Sequence, residues 1–497
     1  MVTSPSDSER LAPDWPTVRT QLEQLFAGCD DIEMTTFRFA PDGPEEALLL
    51  SCPPLTQGLD HNLMRTAIDS LLPQAEARAP GERRPALIAF FDARGPAQRQ
   101  YDLLETLPAI ADAVLAGRTV LLLQGWPRAA GFESRHIAHR QIEEPATEAI
   151  INGPREGMVE DLDQNIALLR ARLKTPRFKL EFHTVGELTK ARTLIGYVAG
   201  SVDEPALAEL KRRLKRADKI ELLDTTALRE LIEDNLYSPF PQYRVTERPD
   251  VAVSAVMEGK IIVMAEGTGT ILICPTLFTD LFQSAEDYYQ RTVIATLVRF
   301  LRIGAFFIAL TLPALYIALS DFHPELIPTN LLLTVLDSRE GIPFPALLEA
   351  LMMQFFFELL REAGIRLPRP IGAAVSIVGA LIIGEASIRA GVASPIMTVV
   401  IALTGIASFS IPQYELATAL RILVFPMMLL AYALGGYGLM IGYIFMFLHL
   451  TTLRVLGRPY LSPLAPLHPR LLLDVLLRAP LRLRLRAARR QRGGVRP

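Results

Sequence analysis

Residues 422–449 read ILVFPMMLLAYALGGYGLMIGYIFMFLH, 28 consecutive positions without Asp, Glu, Lys or Arg. A bilayer core of about 30 Å needs about 20 mostly apolar helical residues. This run exceeds that length, and GGYG at 435–438 interrupts it. As a single tilted helix it crosses a membrane once; as two short helices parted at the glycines it crosses twice. Further uncharged runs lie upstream at 303–320, 370–384 and 390–414, with 18, 15 and 25 residues. Before about residue 290 the charges are distributed throughout. The expected fold is an α/β soluble N-terminal portion followed by an all-α polytopic membrane domain.

The whole-chain composition agrees. Of 497 residues, 50% are hydrophobic and 21% charged, with a mean hydropathy of +0.25. Those values exclude a disordered chain, a collagen and a small disulfide scaffold. A formal net charge of -3 gives no whole-molecule field for nucleic acid or an acidic substrate. Cys29, Cys52 and Cys274 are too few and too scattered for a disulfide framework, a zinc ribbon or a CxxC redox pair. The opening MVTSPSDSERLAPDWP has no basic stretch followed by an apolar one, so the first domain is expected to stay in the cytoplasm.

The soluble portion reads as two α/β subdomains in series, 1–150 and 151–290. In the first, strand-like ALLLSCP (47–53), helical DHNLMRTAIDSLLP (60–73), strand-like PALIAFF (85–91), helical AQRQYDLLETLPAIADAVLAG (97–117) and strand-like TVLLLQG (119–125) alternate two periodicities. The second begins near 153–174 and continues with strand-like FKLEFHTVG and TLIGYVAG. The amphipathic helix DEPALAELKRRLKRA, the strand KIELL and a helix over VAVSAVMEG follow. A hairpin closes it, with EGTG between KIIVMA and TILICP. No fixed-period repeat relates the two.

Catalytic or metal chemistry finds little support here. His136 and His139 stand at i, i+3, which could put two imidazoles on one helix face. No third ligand has matching spacing, so solvated or capping histidines are the reading. The GTG at 267–269 lacks the spacing of a dinucleotide fingerprint and reads as a hairpin turn. GxxxxGK[ST], HExxH and GxSxG are absent. Neither enzymatic activity, a metal nor a cofactor is expected.

Topology follows from the connecting charges. The loop 321–341 carries Asp321, Glu325, Asp337 and Glu340 against Arg339, whereas 361–369 carries Arg361, Arg366 and Arg369 against Glu362. Lys and Arg favour the cytoplasmic side, so a first span near 292–320 runs outward and a second near 343–361 returns. Spans at 371–390 and 394–412 follow, and 422–449 read as two helices makes six. Four spans result if 343–361 is a re-entrant hairpin and 422–449 a single helix. The Pro/Arg-rich tail, 456–497, has nine Arg and one acid, Asp474, after residue 465, which places the C-terminus in the cytoplasm. With both ends there, the span number in 291–455 is even.

Charges within apolar helices normally face a bundle interior or a water-filled path. Glu349 and Glu358 are nine residues apart, on opposite faces of a helix at about 100° per residue. Glu358 can pair with Arg361, whereas Glu349 has no obvious local partner and suits an ion pathway or an intersubunit surface. Glu385 and Arg389 form an i, i+4 pair, and with Glu349 and Glu358 they are the intramembrane polar candidates for an ion pathway. Gly372, Ser376, Gly379 and Gly384 recur near helical spacing, a pattern for close helix packing or a narrow pore. The basic LRLRLRAARRQR (481–492) could meet anionic membrane lipids or simply anchor the tail in solvent.

Several long stretches resemble a known family: NGPREGMVEDLDQNIALLRARL, PQYRVTERPDVAVSAVMEGKIIVMAEGT, LFQSAEDYY, PFPALLEALMMQFFFELLREAGIRLPRPIG, SIVGALIIGEASIRAGVASP and YLSPLAP. In collinear order over about 150–465, they resemble the A subunit of GerA-type spore germination receptors. Residues 1–150 and the tail carry no part of this resemblance.

The resemblance implies a germinant receptor subunit in the inner membrane of a bacterial endospore. Its implied partners are a transporter-like B subunit and a lipoprotein C subunit. It further implies a homo-oligomer, a pentameric ring, whose membrane part is an ion channel opened by nutrient binding to release cations. A secondary transporter of a small solute and a non-conducting scaffold subunit are the competing readings. No inverted repeat supports the transporter.

Overall fold

The computed structural model describes residues 14–38, 46–56, 83–92, 101–135, 152–217 and 224–467, with Leu11 and positions 145, 147, 148, 150, 220–222, 475, 477 and 478. The chain divides into two compact units. One takes residues up to 150, 154–232 and 245–275; the other takes 151–153, 233–244 and 276 onward.

The first unit opens with α1 (Trp15–Leu25), capped by the Asp14 carboxylate, which accepts from the Thr17 N–H. There follow β1 (Glu33–Arg38), β2 (Glu46–Ser51), α2 (Arg83–Asp92), β3 (Tyr101–Leu104), α3 (Leu107–Leu115), β4 (Arg118–Leu123) and β5 (Ala129–Glu133). The strands form an antiparallel sheet in the order β1-β2-β4-β5-β3. Strands β2 and β4 are almost wholly apolar because both sheet faces are covered. Leu48, Leu50, Val120 and Leu122 share a core with Leu22 of α1 and Ile110 of α3. On the other face Leu49, Leu121 and Leu123 pack with Phe91, Tyr101 and Trp126.

Two segments depart from the sequence reading. Residues 85–91, expected as a strand, lie in α2, which buries Phe91 on the sheet. A short apolar run fits a buried helix and a buried strand equally well by periodicity. The helix expected over 97–117 divides, with Tyr101–Leu104 taken by the edge strand β3. The α3 helix starts only behind Thr106, whose hydroxyl accepts from Ala109 N–H, with Pro108 in the first turn. The helix expected at 60–73 and the pair His136 and His139 fall outside the described residues.

A second sheet is built from β6 (Phe178–Val185), β7 (Ala191–Val198), β8 (Arg244–Thr246), β9 (Ile261–Ala265) and β10 (Ile271–Cys274), in the order β6-β7-β9-β10-β8. Its helices are α4 (Leu162–Arg172), α5 (Glu204–Arg216), α6 (Thr225–Ile232) and α7 (Pro249–Met257). Both sheets therefore follow one strand order (first, second, fourth, fifth, third), with a helix before the fourth strand in each. The two share a topology that no sequence repeat announces. The strand expected at 219–223 is absent at the described positions 220–222. The hairpin β9–β10 forms with Leu272 opposite Val263, and Gly267 turns at φ 82°.

Between these subdomains, Arg170 of α4 gives Nε and Nη2 to the two oxygens of Asp31, each at 2.7 Å, with both side chains fully buried. An isolated bridge pairs Cys29 with Leu180 beside it.

The second unit is helical, with α8 (Thr292–Asp321), α9 (Thr329–Arg339), α10 (Ala346–Arg366), α11 (Arg369–Arg389), α12 (Pro395–Phe409) and α13 (Tyr414–Thr452). Among the described residues, α8 and α13 are the helices long and apolar enough to cross a membrane, and α12 is a shorter apolar one. Gly435 breaks α13, at φ 63° and ψ -139°. Beyond it the chain doubles back, with Gly438 against the Leu430 backbone and Gly442 against Met427.

Touching residues set the helix directions. Phe322, at the end of α8, meets Gly435, while Ala309 in mid-helix lines a cavity with Leu420 and Val424. The first half of α13 is thus parallel to α8 and the second half antiparallel. Gly372 of α11 lies under the Gly364 carbonyl and Gly379 on Leu360 of α10, an antiparallel hairpin. Glu349 meets Ser394, and Phe357 meets Gly405, so α10 and α12 are parallel. Tyr316 faces both Glu349 and Ser394, while Ala309, two turns earlier, lines the same cavity as Phe357 and Gly405, which makes these two helices antiparallel to α8.

In sequence, α8, α10, α11, α12 and the two halves of α13 therefore alternate in direction. After Thr452 the chain returns to the end from which α8 departs. There Tyr460 is buried, its hydroxyl donating to Pro241 O at 2.6 Å and its carbonyl accepting from Phe278 N–H at 3.0 Å.

Candidate functional site

Charges inside an apolar helix bundle persist only when paired and hydrogen-bonded. Among its described residues the helical unit holds two such buried clusters. Near the base, Asp287 accepts from Arg302 Nη1 at 2.8 Å and from Arg299 Nε at 3.1 Å. Both arginines belong to the first turns of α8, and all three side chains are almost fully buried.

The other lies at mid-helix. Glu358 of α10 accepts from Arg421 Nη1 at 3.2 Å and from Gln354 Nε2 at 3.3 Å, and forms an ion pair with Arg361 Nη2 at 3.4 Å. Arg421 also donates to Thr418 Oγ1 at 2.6 Å and to the Ala417 carbonyl at 3.4 Å, both in its own helix. One carboxylate thus faces two guanidiniums, a local excess of positive charge. Beside it four helices converge on a small cavity lined by Ala309, Gln354, Thr404, Gly405, Ser408 and Arg421 among others.

The residues singled out in the sequence take separate places. Glu349 is fully buried, and its Oε1 accepts from the Ser394 N–H at 2.6 Å and the Ser394 hydroxyl at 2.5 Å. Ser394 in turn caps α12 through Met397 N–H, so Glu349 stands at the positive end of that helix. Its other oxygen, Oε2, is buried without a hydrogen-bond partner. The nine-residue spacing puts Glu349 and Glu358 against different neighbours: Ser394 for one, Arg421 for the other.

Glu385 and Arg389 pair at 2.5 Å on the exposed face of α11. Gly372 and Gly379 seat α11 on α10, and a Cβ placed on Gly384 would meet Thr398 of α12 at 3.8 Å. The side chain of Ser376 is not among those described. Sequence reasoning missed Arg421, which directly precedes the 28-residue uncharged run. It also missed Gln354, Thr404 and Ser408, whose buried polarity on apolar helices was the available signal. Among the described residues, no group of three His, Cys, Asp or Glu could hold a metal.

In the first unit, ionisable groups are held by neighbours within each fold. The Glu181 carboxyl is drawn down to about 2 by His183, Lys211 and Tyr197 around it. Burial pushes the Cys274 thiol up to about 12 and raises Cys29 and Cys52. All three cysteines are free and buried, which suits packing rather than reaction.

Comparison with known proteins bears on the whole chain. A family model described as Bacillus/Clostridium GerA spore germination protein matches residues 20–489. Spore germination protein KA of Bacillus subtilis (strain 168) is 43% identical over 74% of this chain and 68% of its own. Uncharacterized membrane protein YfkQ of the same strain is 42% identical over 76% of this chain and 74% of its own. Among solved structures, the N-terminal domain of the A subunit of the Bacillus megaterium spore germinant receptor GerK3 superposes with a TM-score of 0.40 and 21% identity. It covers 54% of this chain and 97% of that one.

Proposed function

The chain belongs to the Bacillus/Clostridium GerA spore germination protein family, and from that membership we propose that it is the A-type membrane subunit of a nutrient germinant receptor. In this reading copies of the chain form a ring, a pentamer, whose helical units surround an ion channel in the inner membrane of the endospore. A transporter-like B subunit binds the nutrient and a lipoprotein C subunit completes the complex. Binding shifts the ring toward an open state, and cation release starts germination.

The observation that carries the membrane part is the alternation of six helical segments, with the chain returning at Tyr460 to the end where α8 begins. It supports six crossings with the first unit and the Arg-rich tail on the cytoplasmic side. At 21 residues each, α10 and α11 reach about 31 Å, enough for a bilayer core. Gly435 sits level with Phe322 at the end of α8, so the interruption of α13 is the tip of a hairpin. The secondary-transporter reading wants its broken helix at mid-membrane, and this placement favours the channel.

Glu358 with Arg421, and Glu349 with Ser394, are the polar groups we assign to gating within each subunit. The exposed face of α11, with Glu385 and Arg389, is assigned to neighbouring subunits or lipid. Reconstitution of the purified chain with and without its partners, recording single-channel current and solute uptake, tests the reading. Discrete currents altered by the partners are expected; saturable uptake without them establishes the carrier, and neither leaves a scaffold. Glu349→Gln keeps an acceptor for Ser394 while removing the charge. Altered permeation or gating with intact assembly is expected, and unchanged currents would remove Glu349 from the pathway.

A further inference from the structure

The cavity between α8, α10, α12 and the first half of α13 is small, with a volume of about 10 Å³, and Gln354, Thr404, Ser408 and Arg421 place polar groups on an otherwise apolar wall. That is about the space one water centre needs. Gln354 is 2% exposed, its Nε2 is spent on Glu358, and its Oε1 has no hydrogen-bond partner. A buried amide carbonyl left in that state is destabilising. Thr404 and Ser408 are also buried on this wall. Their hydroxyls donate to the carbonyls of Val400 and Gly405, which leaves lone pairs for a donor in the cavity. Arg421 has five N–H groups, of which three donate to Ala417, Glu358 and Thr418. Two remain for an acceptor.

The ligand must therefore both donate and accept. A metal cation would stand against the Arg421 guanidinium, beside a cluster already in positive excess. An anion would accept from Arg421 but leave the Gln354 carbonyl unanswered. Water does both, at the available volume. We propose that the cavity is a binding site for one water molecule, which donates to Gln354 Oε1 and to the Thr404 hydroxyl oxygen and accepts from Arg421. It completes the hydrogen bonding of the Glu358 ion-pair cluster where four helices meet.

A map of the full-length protein in lipid nanodiscs, at a resolution that shows ordered water, tests the site directly. A peak within hydrogen-bond distance of both Gln354 Oε1 and an Arg421 Nη is expected. Well-defined side chains around an empty cavity would overturn the proposal, as would bromide replacing the peak, which marks an anion. Thr404→Val gives a test independent of the map. In a dry cavity the near-isosteric methyl is neutral or stabilising, because the Thr404 hydroxyl bonds only to its own helix. With a bound water, the variant loses one of its partners, and the midpoint of thermal unfolding falls by several degrees. An unchanged or raised midpoint counts against the water.

Discussion

Arg421 and Glu358 stand 63 positions apart in the chain and 3.2 Å apart in the fold, tying the first half of α13 to α10. Their side chains are 9% and 24% exposed, so most of the hydration of both charges has been given up. In such pairs the loss of one partner costs more than the loss of both. Glu358→Gln strands two arginines and should destabilise the helical unit by about 3–5 kcal/mol. Combining it with Arg421→Met should recover part of that loss. Thermal unfolding of the purified protein and its three variants forms the cycle; additive losses would show that the two charges do not interact.

The same logic applies to Asp31 and Arg170, with a different consequence. Their two 2.7 Å bonds are fully buried and join the loop after α1 to α4. Asp31→Asn keeps the shape but breaks the charge match, at a cost of about 3–5 kcal/mol. Because the pair joins the two α/β subdomains, the loss should appear as earlier proteolysis of the first unit. A digestion profile identical to that of the unaltered chain would contradict this.

Acid should weaken the second subdomain through Glu181. Its carboxyl is held at about 2 by His183, Lys211 at 2.5 Å and Tyr197 at 2.6 Å, below an ordinary value of 4.5. A carboxyl depressed in the folded state stabilises it fully above the unfolded value, and that contribution is lost as pH falls from about 4.5 toward about 2. Glu181→Gln should flatten the stability profile in this window and leave its slope near neutrality unchanged. Equal slopes in the acid window for both proteins would refute the assignment.

What the sequence revealed follows from the distance over which its signals act. The strands β2, β4, β9 and β10 were legible because apolar runs bounded by turns report on their own surroundings. The α2 helix was not, since PALIAFF is too short for periodicity to separate a helix from a strand. Glu349 and Glu358 could be picked out as costly charges, and Arg361 as a partner for Glu358 one turn on, but the partners on other helices could not. Ser394 is 45 positions from Glu349, and Arg421 lies just outside the apolar run that drew attention. Helix spacing sees only three or four positions ahead, whereas these bonds are set by how helices pack. The matching strand orders of the two sheets were equally hidden, because topology is kept by burial pattern and not by residue identity.

Gly435 makes the tip of the α13 hairpin, and its conformation is reserved for glycine. At φ 63° and ψ -139° a side chain is strained, and an added Cβ would lie 2.8 Å from Phe322 Cγ. Such backbone strain costs about 1–3 kcal/mol, and the ring contact adds to it. Gly435→Ala should lower the yield of folded protein and its unfolding temperature. Gly436→Ala, whose Cβ would come no nearer than 3.4 Å to His323, serves as the control and should be nearly neutral. Equal behaviour of the two variants would contradict a hairpin at Gly435.

The proposed six crossings make a sided prediction at Arg366. This residue ends α10, and the turn to α11 follows at once, at the end of the bundle from which α8 departs and to which Tyr460 returns. Its side chain is 77% exposed and pairs with Glu362 one turn back, so Arg366→Cys should be tolerated and open to reagents. Arg339 closes α9 at the opposite end, where it lies 3.3 Å from Asp321. With the base cytoplasmic, a membrane-impermeant thiol reagent should label a cysteine at 366 in inside-out vesicles and one at 339 in right-side-out vesicles. Labelling of 366 from outside would mean that α10 does not return, and the even alternation of the helices could not then be a count of crossings.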